Sequence, residues 1–243
     1  VEPEDFLSYQ VGRFVIKPQL GFSATYDNNV FFRTNSKESD LITTVSPGIV
    51  GSYGAADANH ISVSYVPNIV RYANNDLLNT VNHIGRFEAA IERGGLDISG
   101  SSTVQFLGGL IGGNQNFVAA PTDRLTTAHS YRLAVRTLPK LSATFAGSVN
   151  GTDFESGALL FDERKWRGVF GVDYHLSEKL DIIAEGFIGK TRAEPNTVGQ
   201  TGAEADSVGG FVGVSGQFTT KLEASARVGI ESLDFSNNAE AAD

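Results

Sequence analysis

The segment RGVFGVDYHLSEKLDIIAEGFIG, residues 167–189, changes character twice without taking on a helical period. From Trp166 the even positions read Trp166, Gly168, Phe170, Val172, Tyr174 and Leu176, and between them stand Arg167, Val169, Gly171, Asp173 and His175. After Ser177-Glu178-Lys179 the alternation resumes, with Leu180, Ile182, Ala184, Gly186 and Ile188 against Asp181, Glu185 and Phe187. Successive side chains of a strand leave on opposite faces, so a period of two predicts a strand. Residues 166–189 are therefore expected to form a hairpin with one apolar face, one mixed face and a very short polar turn.

The same alternation extends in both directions. Phe14, Ile16, Pro18, Leu20, Phe22, Ala24 and Tyr26 oppose Lys17, Gln19, Ser23, Thr25 and Asp27. Comparable patterns cover residues 41–53, 60–73, 81–92, 96–106, 127–137, 141–150, 207–218 and 222–233. With the opening pair this predicts eleven strands and no helix. The expected links alternate in length. Gly54–Asn59, Arg93–Gly95, Leu138–Lys140, Ser177–Lys179 and Thr219–Lys221 are short, whereas 27–40, 74–80, 107–126, 151–164 and 190–206 are long and rich in Gly, Asn, Asp and Thr.

Short turns at one end and long loops at the other are the habit of bacterial outer-membrane barrels, whose long loops are extracellular and whose turns are periplasmic. A soluble sandwich uses Greek-key crossings instead. The fold expected is therefore all-β, an antiparallel up-and-down transmembrane β-barrel in the bacterial outer membrane. Residues 1–13 form a periplasmic N-terminal segment in this reading, and residues 14–243 the barrel. Single-chain bacterial barrels have an even strand count. An eleventh strand ending near Ser236–Asp243 at the outer surface predicts a partial barrel that lacks C-terminal strands.

Composition is compatible with this. The 243 residues carry a net charge of −9 and are 41% hydrophobic, and mean hydropathy is −0.10. The negative balance argues against nucleic acid as a partner. No apolar run reaches the roughly 18–20 residues of a membrane-spanning helix, but strands that need only every second residue apolar leave no such run. Absence of cysteine excludes zinc-thiolate and iron–sulfur sites. Absence of methionine means that Val1 is not a translation start, as after removal of a leader or in a sequence that starts downstream.

Charge separates the two faces. Arg86, Glu88, Arg132, Arg167, Asp173, Glu185 and Arg227 all fall opposite the apolar phase. A cationic side chain facing lipid at mid-depth costs about 2–4 kcal/mol, so charges collect on the inner side. Together with Gln19, Gln105 and Gln217 these residues are the expected pore lining. Aromatics near strand ends (Tyr26, Tyr53, Trp166, Tyr174, Phe218) suit the membrane interfaces. Arg71 alone among the charges falls in the apolar phase near an outer strand end, which calls for a bulge near Pro67 or a side chain that snorkels to the headgroups.

Three segments, PQLGFSATYDNNVFF (18–32), SDLITTVSPGIVGSYG (39–54) and VSYVPNIVRYANND (63–76), resemble the N-terminal part of the outer-membrane β-barrel porin 2 family. The likeness is carried by Tyr-Asp-Asn-Asn-Val-Phe, by Ser-Pro-Gly of the second strand and by Arg-Tyr-Ala-Asn-Asn at the end of the third. Beyond about residue 100 only the barrel periodicity remains similar. The resemblance implies an outer-membrane barrel, longer than this chain and often encoded beside exopolysaccharide synthesis and export genes.

Other motifs carry less. Ala184–Thr191 matches a relaxed phosphate-loop pattern, but Ala replaces the first glycine and no helix is expected to follow. His60, His83, His129 and His175 stand singly and lack metal-ligand spacing. A barrel hydrolase would need a histidine at the outer rim, and His83 and His129 lie near it, though in the lipid-facing phase. The acidic loop residues Asp27, Glu38, Asp40, Asp76, Asp123, Asp153, Glu155 and Asp162 would repel anionic lipopolysaccharide or gather cations, with Asp27-Asn28-Asn29 the best calcium candidate. The simpler reading of that triplet is a turn.

The expected function is a porin-like channel for polar solutes or for exopolysaccharide, with no enzymatic activity, no metal and no cofactor. Its partners are outer-membrane lipid and lipopolysaccharide, with polysaccharide or envelope assembly proteins beside them. The alternative is a plugged barrel that anchors an envelope or surface-polymer assembly.

Overall fold

Alternation along the chain becomes one antiparallel sheet. A computed structural model describes residues 8–31, 33, 35–54, 59–109, 122–155, 160–177, 179–196, 200–219 and 222–238, with only the backbone for residues 218, 219, 237 and 238. The strands are β1 (Tyr9–Val11), β2 (Phe14–Asp27), β3 (Asp40–Gly54), β4 (His60–Tyr72), β5 (Thr80–Arg93) and β6 (Leu96–Leu107). They continue with β7 (Arg124–Leu138), β8 (Leu141–Phe154), β9 (Phe161–Ser177), β10 (Leu180–Pro195), β11 (Gly202–Thr219) and β12 (Leu222–Asn238). Every strand pairs with its neighbours in chain order, and β1 and β12 do not pair with each other, so the sheet is open. A 3-10 turn, Asp76–Leu78, lies between β4 and β5.

Eleven of these strands coincide with the periodic segments. The twelfth, β1, folds back on β2 through Gly12 and draws residues 9–11 of the expected N-terminal segment into the sheet. The link between β5 and β6 is two glycines with positive φ, Gly94 at 60° and Gly95 at 85°. Two such residues form the hairpin turn whose twist matches that of the flanking strands. Toward the loop end, β8 to β11 run further than the apolar pattern does, so the expected links 151–164 and 190–206 contract to 155–160 and 196–201. Polar cross-strand pairs between β10 and β11 hold these extensions: Lys190 Nζ lies 2.5 Å from Glu204 Oε1 and Arg192 Nε lies 3.9 Å from Glu204 Oε2.

Directly paired residues share a face, so the register fixes which side chains lie together. One row runs from Phe14, the first residue of β2, through Tyr53, Ile61, Ala89, Gly100 and Tyr131. It continues through Gly147, Gly168, Ile188 and Val208 to Ser232, ten residues past Leu222 at the start of β12. The hairpins therefore slip by about one residue per strand. With a rise of about 3.3 Å per residue and a strand spacing of about 4.8 Å, that slip corresponds to a strand slope of roughly 35°, within the range of barrels.

No second layer among the described residues covers the apolar face. Among the described residues only Val30, Leu78 and Phe187 are buried hydrophobics, whereas Leu20 is 76% exposed, Phe22 73% and Ile230 81%. Across β8 to β12 this face is free of charge from the turns up to the row of Trp166, Lys190, Asp206 and Asp234. Arg71 keeps the apolar phase: the pairs Ile49 with Tyr65, Val45 with Ile69 and Thr43 with Arg71 follow one register, so no bulge moves it. Its Nη1 donates to the Val70 carbonyl at 3.2 Å near the loop end. The side chain of Phe218, expected at an interface, lies outside the described residues.

Candidate functional site: the polar face of the sheet

The ten residues expected to line a pore all lie on one face. Gln19 pairs with Gly48, Arg86 with Thr103, Glu88 with Ser101, and Gln105 with Thr126. Arg132 pairs with Ala146, Arg167 with Gly189, Asp173 with Ile183, and Glu185 with Phe211. Gln217 pairs with Glu223 and Arg227 with Gly213. They are spread along the strands and form no single cluster.

Three local groupings stand out. Near the turn end, Arg132 Nη1 lies 3.3 Å from Asp97 Oδ2 and its Nη2 3.4 Å from Thr144 Oγ1. His175 Nδ1 and Asp181 Oδ1 are 2.6 Å apart in the same hollow of about 250 Å³, which also includes Asp173. Arg132 and Asp97 are each about half exposed, so their attraction orients side chains more than it stabilises the fold.

The second grouping covers β9 to β12. The Arg167 guanidinium lies 3.7 Å from the centre of the Phe187 ring, and that of Arg227 lies 5.0 Å from the Phe211 ring. Both rings lie across a glycine of the next strand. A β-carbon on Gly209 would stand 2.6 Å from Phe187 Cζ, and one on Gly229 2.7 Å from Phe211 Cβ.

The third is a row of hydroxyls. Ser52, Ser62, Glu88, Ser101, Ser130, Ser148 and Arg167 are successive direct partners from β3 to β9. Ser101 Oγ and Ser130 Oγ share a hydrogen bond of 2.8 Å. Glu88, Ser101, Ser130, Ser148 and Arg167 border a hollow of about 440 Å³ on this face. The serines, Phe187 and Phe211 were not among the expected lining residues. Each sits in the polar phase, but the row emerges only when the strands are placed in register.

The remaining candidates fall elsewhere. His83 pairs with Phe106 and Pro67 on the apolar face, and its Nδ1 is 2.7 Å from Tyr65 Oη. His129 pairs with Ser102 and Val149 on the same face. Residues 184–191, the relaxed phosphate-loop match, lie wholly within β10, and no helix follows them among the described residues. In the first long loop, Asp27 Oδ1 accepts the Asn29 amide at 2.8 Å, which is a turn.

Beside that loop, Asp40 is 1% exposed and accepts from Leu41 N at 2.7 Å, from Asn74 N at 3.1 Å and from Asn75 Nδ2 at 2.8 Å. Desolvation alone would raise its carboxyl, but the bonds from Asn75 and the backbone outweigh it and hold the group below its ordinary value. This carboxylate clasps two loops together. Among the described residues no three acidic or histidine side chains are grouped as metal ligands.

No known family model matches the chain, and no curated protein or solved structure matches it either.

Proposed function

We propose that this sheet is the wall of a bacterial outer-membrane β-barrel whose polar face borders a water-filled path for polar solutes or a polysaccharide, without covalent chemistry. The observation that carries the reading is the uncovered apolar face backed by a face holding the charges. In water an apolar surface of this extent invites association. In hydrocarbon it is the surface that a barrel presents. The strand slope of roughly 35° agrees with a barrel. The outer edges of β1 and β12 need partners in hydrocarbon, where no water is present to bond free backbone groups, so the proposal includes a closed barrel in the membrane. The long loops then face outward and the short turns face the periplasm. The resemblance of residues 18–32, 39–54 and 63–76 to the porin 2 family supports the same location.

Purified native protein reconstituted in planar bilayers tests this: discrete ion-conducting steps are expected. Folded barrel that inserts and gives no steps overturns the channel and leaves the second reading, a filled barrel that anchors an envelope assembly. One contact favours that alternative. Arg167 Nη1 reaches to 4.0 Å of Glu231 Oε1, across β10 and β11, and occupies the hollow side of the wall there.

A further inference from the structure

We infer that the row from Glu88 to Arg167 is a binding track for a neutral saccharide chain, an inference that rests on the channel reading and names its solute. The five positions belong to successive strands, β5 to β9. At about 4.8 Å per strand they span roughly 19 Å. Because the strands slope at roughly 35°, a row across them also climbs, by roughly 11 Å. The row is thus inclined along the wall, and a linear ligand lying on it advances along the lumen.

The chemistry of the row suits hydroxyls. Each serine offers one donor and two acceptor lone pairs. Ser101 and Ser130 share one hydrogen bond of 2.8 Å, and their remaining donor and acceptor capacity borders the hollow. A sugar hydroxyl, itself donor and acceptor, exchanges with this pair in either orientation. Glu88 and Arg167 end the row with opposite charges, so it holds no net charge to select an ion. Arg167, set against the Phe187 ring and reaching toward Glu231, closes the β9 end of the row with a cation. Ala90, Ala146 and Val169 line the same hollow and give the C–H faces of a sugar an apolar floor. Serine is short, and the row borders a hollow of about 440 Å³.

Titration calorimetry on the detergent-purified native barrel, with maltohexaose as probe and polyethylene glycol of equal size as control, tests the track without requiring conductance. Saturable heat with maltohexaose and none with the polymer is expected. The triple variant Ser101→Ala, Ser130→Ala, Ser148→Ala loses about tenfold or more in affinity, in line with three modest hydrogen bonds. The Ser→Thr triple, which keeps the hydroxyls, retains affinity closer to the parent. Absence of binding by the folded parent overturns the track, as does a Ser→Ala triple that binds equally well. The two proposals fail separately: conductance without sugar binding removes the track alone, and serine-dependent binding without conductance removes the channel alone.

Discussion

Arg167 on β9 and Glu231 on β12 approach to 4.0 Å although two strands separate them. Three strand spacings amount to roughly 14 Å on a flat sheet, so the polar face is the concave one here and the tips meet above β10 and β11. The ground they cross is Phe187 and residues without bulk: Gly189 beside Arg167, Gly209 beside Phe187, and Ser207. Replacing Arg167 by Ala removes a cation and its reach across this hollow. Larger single-channel steps and a reversal potential shifted toward cation preference are expected in bilayer recordings.

Reversal of the two faces is directly testable. Val212→Arg places a guanidinium in the middle of the apolar face, where Val212 pairs with Ala184 and Val228. It is expected to cost about 2–4 kcal/mol of folding stability in lipid vesicles, as for cations at mid-depth. Ala128→Arg, on the polar face opposite Thr103, should cost less than about 1 kcal/mol by the same denaturant titration.

Tyr131 lies over Gly100 on the apolar face, and its hydroxyl is 3.0 Å from Ser102 Oγ. A β-carbon at Gly100 would stand 2.6 Å from Tyr131 Cδ1. Gly100→Ala therefore pushes the ring aside and breaks that bond, with no water to replace it if this face meets lipid as proposed. About 1–3 kcal/mol of destabilisation is expected, whereas Gly85→Ala, which would meet only Val104 O at 3.9 Å, should be much milder in the same assay.

Asp40 gives the pH dependence of the rim. Its folded value lies below the ordinary 3.8, so its clasp contributes fully above that value and is lost as pH falls through the lower folded one. Hydrogen exchange at the Leu41 and Asn74 amides should be slow at about pH 5 and accelerate only well below about pH 4. Asp40→Asn, which retains one acceptor oxygen in place of two, should show fast exchange at both.

Much of this architecture was legible because alternation is local. Eleven strands, the two faces and the common side of Arg86, Glu88, Arg132, Arg167, Asp173, Glu185 and Arg227 follow from counting by twos. Tyr9–Val11 escaped because three residues are too few to show a period. The loop-side extensions of β9 to β11 escaped because Lys190, Arg192 and Glu204 read as loop residues until cross-strand pairing shows them stabilising strand ends. The serine row and the contact of Arg167 with Glu231 depend on register between distant segments, which no single strand encodes.

The slip that accumulates from one hairpin to the next has an evolutionary corollary. Each further hairpin adds a similar offset, so inserting or deleting one changes the width of the sheet and leaves the slope of its strands untouched. Duplication of a single up-and-down unit can thus widen the sheet in one genetic step, with the height of its apolar band conserved.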